Sequence, residues 1–201
     1  MGKRCFDLLL AAVALLLFSP LMLVIAVWVK LDSAGPVFFR QERVGRRGVP
    51  FRIHKFRTMV VDAPQSGPQI TIGDDARITR AGRILRRHKL DELPQLLDVL
   101  RGAMSLVGPR PEVPRYVAMY PEPMRSKVLS VRPGITDPVS LQFFDESTVL
   151  GAAADPEREY VEVVMPRKLA AAAAYAEQAT LANDLRTIAQ TLRLLMKRWT
   201  S

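Results

Sequence analysis

The chain has 201 residues, 49% of them apolar, and a formal charge of +9. It holds one cysteine and two widely separated histidines. One cysteine excludes a disulfide framework and a Cys-based zinc site, and the two histidines do not favour a His-based one. The apolar content excludes wholesale disorder, and the length allows one or two domains with a sizeable core.

The excess positive charge is concentrated in one stretch. Residues 37–90 contain 13 Lys and Arg but 4 Asp and Glu, and the rest of the chain sums to zero. Such a stretch indicates an anionic partner, namely nucleic acid, an anionic membrane surface or a phosphorylated substrate; a solvated surface is the plain alternative. Nucleic acid is disfavoured because the stretch carries no helix-turn-helix or RNA-binding signature.

The amino-terminal region is apolar over 8–18 and 21–29, with Ser19 and Pro20 between. Together the two runs are long enough to span a bilayer, which takes about 20 residues. No small-residue cleavage site follows, so a signal peptide fits poorly. Pro20 removes one helical hydrogen bond, and Ser19 is expected to satisfy the carbonyl that it frees. A spanning helix kinked at Pro20, a re-entrant hairpin and a soluble core helix all remain open. Basic residues at both flanks favour the hairpin, with both ends cytoplasmic.

Short strands and helices are predicted after the apolar region. Residues 37–39 and 51–53 are typical of two strands, with Gly45 and Gly48 in the turn between them. Residues 61–75 are rich in Pro, Gly, Gln and Asp, which indicates a loop.

Two helices are predicted around an acidic pair. Thr79 is expected to cap a helix running through 83–89, and a second helix is expected over 93–100. Asp91 and Glu92 lie between the two.

The carboxyl-terminal third is predicted to be helical. A helix is expected to begin near Asp155 and to be interrupted or restarted at Pro166. Apolar residues recur every three or four positions over 181–199. A helix with that stripe either covers a core or lies in a membrane interface.

The acidic pair Asp91-Glu92 is the strongest candidate for chemistry. Alone, adjacent carboxylates most often stabilise a helix start. Here Arg86 precedes them, and Arg110 follows in the rigid turn 108–111. Carboxylates among arginines can hold a divalent cation and a polyphosphate together, and an aspartate can carry a phosphoryl group. The pattern predicts phosphate chemistry at a membrane, and the chain has no Walker loop or GxSxG elbow.

Four motifs together resemble those of a known family. Residues 55–59 are KFRTM, 90–95 LDELPQ, 104–111 MSLVGPRP and 132–136 RPGIT. In this order they resemble the bacterial sugar transferases, the monotopic phosphoglycosyl transferases that act on polyprenol phosphate. The similarity covers nearly the whole chain, in the small form that consists of the catalytic core.

The resemblance implies an α/β, mostly helical fold. Residues 1–30 would form a re-entrant membrane helix-break-helix hairpin, broken at Ser19-Pro20. Residues 31–201 would form a small cytoplasmic, membrane-associated catalytic domain with interfacial amphipathic helices and a short β-hairpin. The implied location is the cytoplasmic face of the bacterial inner membrane, in contact with membrane lipids. A homodimer through the last helix is left open.

The resemblance also implies a reaction. A sugar 1-phosphate moves from a UDP-sugar to undecaprenyl phosphate, giving a polyprenyl-diphosphate-sugar and UMP. This is the first membrane step of glycoconjugate or polysaccharide synthesis, such as exopolysaccharide synthesis. The alternatives are a membrane glycosyltransferase that releases UDP and a non-catalytic membrane scaffold.

The catalytic dyad implied by the resemblance is Asp91 and Glu92. Asp91 would attack the β-phosphorus and form a phosphosugar-aspartyl intermediate. Glu92 would help to bind Mg²⁺ or orient Asp91, so both carboxylates are predicted metal ligands.

Four basic residues are candidates for phosphate binding under the same resemblance. Arg86 matches the family's arginine five residues before the nucleophile, and Arg110 is a second candidate. Lys55 and Arg57 are weaker candidates for the nucleotide or lipid phosphate, with a scaffold salt bridge as the alternative.

The sequence departs from the family pattern at two informative places. Asp98 stands where Asn is frequent, a change expected to affect packing. Asp137-Pro138 stands where Gly is frequent, in a region expected to shape the sugar pocket. Asp137, together with the motif at 143–146, looks like one subgroup of the family. Sugar specificity is therefore not carried over from better-known members.

Overall fold

The computed structural model describes residues 2–62, 75–138 and 150–199. This part is mostly helical and carries two two-stranded sheets. It agrees with the predicted α/β, mostly helical class. Most of the predicted loop at 61–75, and the motif at 143–146, lie outside the described residues.

The first helix, α1, runs from Gly2 to Asp32 with Pro20 inside it. Pro20 has no N–H to donate to the carbonyl of Leu16, one turn back. The hydroxyl of Ser19 donates to that carbonyl instead, at 2.8 Å, which is the compensation expected of Ser19 from the sequence. Among the described residues, α1 is the helix that is long and apolar enough to cross a membrane.

The first half of α1 packs on the centre of the domain. The carboxylate of Asp7 accepts from the hydroxyl of Ser105 at 2.7 Å and from the backbone N–H of Leu106 at 3.3 Å. One turn later, Ala11 is fully buried in the same cluster as Val99 and Met104. The amino-terminal half of the helix is therefore fixed to the domain by both polar and apolar contacts.

The second half of α1 packs on another part of the same domain. Ile25 and Val29 are buried in a cluster with Phe56 and Leu85. Between the two buried parts, the residues Leu16–Pro20 form an exposed run of five. The helix thus touches the domain near both ends and leaves its middle uncovered.

The predicted β-hairpin is present and longer than the sequence indicated. Strands β1 (Phe38–Val44) and β2 (Pro50–Phe56) pair antiparallel, with Phe38 opposite Phe56. The rings of these two residues stack with centroids 5.5 Å apart. Gly48 closes the turn with a φ of +77°, where a side chain would be strained. The hairpin carries Lys55 near the end of β2.

Helix α2 (Arg80–Arg87) begins where the sequence predicts. The hydroxyl of Thr79 accepts from the backbone N–H of Gly82 at 3.0 Å, which caps the helix. A Cβ on Gly82 would lie 2.1 Å from the carbonyl oxygen of Thr58. Only glycine therefore lets α2 pack this closely on the end of β2. Helix α3 (Gln95–Arg101) follows the acidic pair.

A second, parallel sheet joins β3 (Ser105–Val107) and β4 (Gly134–Thr136). A Cβ on Gly134 would lie 2.1 Å from the nitrogen of Gly108. The two proline-containing turns beside this sheet, at 108–111 and 132–134, are therefore in contact. This contact explains the glycines in both motifs and fixes the turn that carries Arg110. Between the strands lie two short helices, α4 (Pro114–Val117) and α5 (Met124–Val128).

The carboxyl-terminal third is helical, as predicted. Helix α6 (Pro156–Glu159) is capped by Asp155 and continues through a π-helical turn, Tyr160–Val164, into α7 (Met165–Glu177). The predicted interruption at Pro166 lies in the first turn of α7.

The last helix, α8 (Leu181–Trp199), has two different apolar sides. One side carries Ile188 against the core and buries Asp184. The carboxylate of Asp184 accepts from the hydroxyl of Tyr175 at 2.6 Å and forms an ion pair with Lys3 of α1. The other side exposes Leu181, Leu185, Leu192 and Met196. The helix therefore covers the core and also presents an exposed apolar stripe.

Candidate active site

Asp91 and Glu92 lie in a sharp turn between two helices. The 3-10 turn Leu90–Glu92 joins α2 to α3, and Lys89 before it has a φ of 57°. That left-handed conformation is uncommon for a residue with a side chain, and such conformations occur often at functional sites. The turn buries both carboxylates, which are 6% and 7% exposed.

Glu92 is held by two cations from other parts of the chain. Its Oε1 accepts from Nζ of Lys55 and from Nη2 of Arg110, both at 2.7 Å. Its Oε2 is 3.4 Å from Nη1 of Arg110. Burial acts to raise the pKa of Glu92, but the charges of Arg110 and Lys55 outweigh it and hold the pKa well below the usual range. Glu92 is therefore a fixed anion.

Asp91 differs from Glu92 both in its hydrogen-bond partners and in the direction of its pKa shift. Its Oδ1 is buried and accepts no hydrogen bond from any residue the structure describes. Burial raises the pKa of Asp91, and the nearby charge of Lys55 offsets this only in part. A buried carboxylate oxygen without a partner is costly and rare in folded proteins. Such an atom is available to attack a substrate or to bind a metal ion.

Arg86 reaches the pair from α2. Its Nε donates to the hydroxyl of Thr58 at 2.8 Å, which fixes the guanidinium. The charge of Arg86 acts to lower the pKa of Asp91, as does that of Lys55. Thr58 lies in the motif at 55–59, but nothing in the spacing of that motif indicated its orienting role.

The side chain of Arg57 is directed to the end of α1 and not to the acidic pair. Its Nε donates to the carbonyl of Pro36 at 2.6 Å, and its Nη atoms donate to the carbonyls of Ser33 and Ala34, both at 2.8 Å. Nη2 also lies 3.4 Å from the carbonyl oxygen of Val29. Arg57 thus caps the carboxyl end of α1 and holds the chain that leaves it.

The structure therefore brings together most of the predicted site residues, and the group comprises Lys55, Arg86, Asp91, Glu92 and Arg110. Arg57 is fixed at the end of α1, and Ser19 and Pro20 lie in the exposed middle of that helix. Gln95, in the motif at 90–95, is a residue that sequence reasoning missed. It is 1% exposed, and its Nε2 has no hydrogen-bond partner among the described residues.

A buried network fixes the strand that carries Lys55. Asp98 of α3 accepts from the backbone N–H of His54 at 2.8 Å and lies 2.6 Å from its Nδ1. On the other side of the ring, Arg101 lies 2.9 Å from Nε2. This double contact ties β2 to α3 next to Lys55. Asp98 therefore joins α3 to β2 through hydrogen bonds to His54.

The two carboxylates offer oxygen atoms to a divalent cation. Mg²⁺ prefers oxygen ligands and is commonly held by one or two carboxylates together with substrate phosphates. Oδ1 of Asp91 is free for such an ion, and Oε2 of Glu92 is the less engaged oxygen of that residue. The described residues contain no group of three or more His, Cys, Asp and Glu suited to a metal. The pair thus fits an ion completed by phosphate oxygens.

A buried carboxylate pair thus lies among three cationic side chains, an arrangement suited to a phosphorylated substrate. The family model for bacterial sugar transferases matches residues 1–198. The chain belongs to this family of enzymes, which confirms the resemblance of its motifs.

Named relatives agree with this family. A UDP-N-acetylgalactosamine-undecaprenyl-phosphate N-acetylgalactosaminephosphotransferase of Aeromonas hydrophila is 48% identical over 67% of this chain and 32% of the relative. A UDP-glucose:undecaprenyl-phosphate glucose-1-phosphate transferase of Caulobacter vibrioides is 39% identical over 96% of this chain and 69% of the relative. The exopolysaccharide production protein PSS of Rhizobium leguminosarum is 50% identical over 54% of each chain. The chain thus spans about a third of the first relative's length and about half of the third's.

Proposed function

We propose that the protein transfers a sugar 1-phosphate from a UDP-sugar to undecaprenyl phosphate and releases UMP. The observation that carries this proposal is the buried, unpartnered Oδ1 of Asp91 beside three cationic side chains. The names of two relatives support the donor and acceptor classes. The name of a third supports a role in exopolysaccharide production.

The reaction takes place in two displacements at one phosphorus. The carboxylate of Asp91 attacks the β-phosphorus of the donor, the bond to the bridging oxygen breaks, and UMP leaves with that oxygen. A phosphate oxygen of the lipid then attacks the same phosphorus and breaks its bond to Asp91. The product is the polyprenyl-diphosphate-sugar, and the carboxylate is regenerated.

Cations dominate the catalysis because negative charge accumulates on the phosphoryl oxygens in both steps. Arg86 is fixed by Thr58 and Arg110 by Glu92, so neither guanidinium has to be ordered when substrate binds. Lys55 adds a third positive charge. Asp91 and Glu92 would hold Mg²⁺, which neutralises phosphate charge when bound.

The burial of α1 supports a re-entrant hairpin at the membrane. Both halves of the helix contact one domain, and the run Leu16–Pro20 around the proline is exposed. Contact near both ends with an exposed centre fits two arms that meet at Pro20, away from the domain. The arms would insert from the cytoplasmic face of the inner membrane and keep residues 31–201 at the lipid surface.

The test is nucleotide release. The full chain in lipid discs receives Mg²⁺, undecaprenyl phosphate and one UDP-sugar at a time, and the released nucleotide is identified by chromatography. We expect UMP with at least one donor, and none from the Asp91→Asn variant. UDP in place of UMP would identify a glycosyltransferase. No nucleotide from any donor would favour a membrane scaffold.

A further inference from the structure

A second pocket adjoins the active site on the side of α7. It encloses about 400 Å³ of empty space that opens to solvent. Its polar lining includes Arg110, Glu112, Tyr120, Asp137 and Lys168. Pro109 and Arg110 form the wall towards the acidic pair. The pocket is thus built mainly from residues that the phosphate site does not use.

Arg110 belongs to both sites. Its Nη2 donates to Glu92 in the active site, at 2.7 Å, while the same residue lines the pocket. In the proposed reaction the β-phosphate lies among Asp91, Arg86 and Arg110. A group bonded directly to that phosphate would extend past Arg110. The pocket is where such a group would go.

Glu112 is the centre of the polar side of the pocket. Its Oε1 accepts from the hydroxyl of Tyr160 at 2.7 Å and lies 3.8 Å from Nζ of Lys168. Its Oε2 lies 3.6 Å from Nη1 of Arg43. Burial acts to raise the pKa of Glu112, but the charges of Lys168 and Arg43 outweigh it and lower the pKa. An anion and a cation are therefore held side by side in the wall.

The rest of the lining is apolar. It includes Met165, Leu169 and Ala172, which lie on α7 together with Lys168, and Val128. The π-helical turn at Tyr160–Val164 immediately precedes α7 and places Tyr160 against Glu112. Turns of this kind are rare and occur frequently at functional sites. A pocket lined by both charged and apolar side chains suits a ring that has both hydroxyl groups and C–H faces.

We propose that this pocket receives the sugar ring of the donor, with Lys168, Glu112 and Asp137 contacting its hydroxyl groups. The inference rests on the proposed function, because it takes the β-phosphate to lie beside Arg110. Asp137 is 3% exposed and lines the pocket at the position where the sequence departs from the family pattern. It is therefore a residue that determines which sugar is accepted.

Uridine is the other part of the donor, and its chemistry fits the pocket less well. Uracil presents one N–H between two carbonyl oxygens, which the carboxylates of Glu112 and Asp137 would repel. Sugar hydroxyls donate to carboxylates and accept from an ammonium group, so they match both charges of the lining. The hydroxyl groups of ribose would match them as well, but ribose is bonded to the α-phosphate, whereas the sugar is bonded to the phosphate that lies beside Arg110.

Binding of matched ligands tests this assignment. The full chain carrying Asp91→Asn, in lipid discs with Mg²⁺, is titrated with UDP, UDP-glucose and UDP-N-acetylgalactosamine. Lys168→Met in that background is expected to weaken binding of the preferred UDP-sugar about tenfold and to change UDP binding less than twofold, because UDP lacks only the sugar. Asp137→Asn is expected to change the ratio of the two UDP-sugar affinities.

Lys127→Met is the matched control. Lys127 contacts α7 from α5 through a surface pair, 2.5 Å from Glu177, and does not line the pocket. It should leave all three affinities unchanged. If Lys168→Met weakened binding of UDP and of the UDP-sugars equally, the pocket would hold the nucleotide. If neither pocket variant changed any affinity, the donor would not bind in the pocket. Either result overturns the proposal. Because binding is measured, the result is independent of UMP release, which tests the proposed function.

Discussion

Asp91 and Glu92 are consecutive residues in one turn and are almost equally buried, yet their pKa values are shifted in opposite directions. The difference lies in their partners. Two cations donate to Glu92, whereas Oδ1 of Asp91 receives no hydrogen bond from the described residues. Glu92 therefore fixes the positions of Lys55 and Arg110, and Asp91 remains available to react.

Replacing Asp91 with Asn should abolish transfer without unfolding the protein. Because burial raises the pKa of Asp91 in the folded state, its ionised form opposes folding once the pH rises through that pKa. An amide removes this cost at pH 7. UMP release should fall by roughly a thousandfold or more, as expected for loss of a nucleophile, while the thermal midpoint stays equal or rises. Retained turnover would contradict the covalent mechanism.

The rate should depend on pH through Asp91. Since the nucleophile is the carboxylate, activity falls as the pH drops through the raised pKa, so the acid limb of kcat/KM should lie above the ordinary aspartate range. Lys55 lowers the pKa of Asp91, and Lys55→Met should therefore move the acid limb to higher pH. The pH dependence of kcat/KM, measured for the unchanged protein and for Lys55→Met, gives the position of the acid limb in each. The same limb in both would show that Lys55 does not act on the nucleophile.

Glu92→Gln should destabilise the protein, in contrast to Asp91→Asn. Removing one partner of a buried ion pair leaves the other charges uncompensated, at a cost of about 3 kcal/mol. Glu162→Gln is the control, because Glu162 pairs with Arg158 on the surface and is 57% exposed. Exposed pairs contribute about 0–1 kcal/mol. Denaturant titration of both variants measures the difference, and similar values would mean that the Glu92 pairs are not buried in solution.

Local sequence signals predicted the individual helices and strands better than they predicted the contacts between these elements. Thr79 as a cap, Ser19 as the partner of a freed carbonyl and the β-hairpin turn are all set by neighbours within a few residues. The motifs also located the acidic pair and its basic neighbours. The partners of Glu92 and the roles of Thr58 and Glu112 depend on residues 18 to 69 positions away. No periodicity in the sequence indicates contacts over such distances.

Arg57 and Arg86 show why residue type alone could not assign roles. Both were candidates for phosphate binding, but Arg57 donates to carbonyls at the end of α1 whereas Arg86 lies beside Asp91. Arg86→Met should raise KM for the donor or lower kcat with little change in the thermal midpoint. Arg57→Met should lower the midpoint and leave KM unchanged in the protein that remains folded. Steady-state kinetics and melting curves of both variants separate the two roles, and a raised KM in Arg57→Met would return it to the substrate site.

The hairpin can be tested with the chain's one cysteine. Cys5 is exposed near the start of α1, and Leu31, near its end, is 81% exposed. A membrane-impermeant maleimide is applied to spheroplasts and to inverted vesicles, using the intact chain and a Cys5→Ser, Leu31→Cys variant. A hairpin predicts labelling of both positions in inverted vesicles and of neither in spheroplasts. Phe18→Cys in the Cys5→Ser background, within the exposed run of α1, should resist labelling because it lies in lipid. A helix that crosses the bilayer would instead expose positions 5 and 31 on opposite faces. Labelling of all three positions would show that α1 does not lie in the membrane.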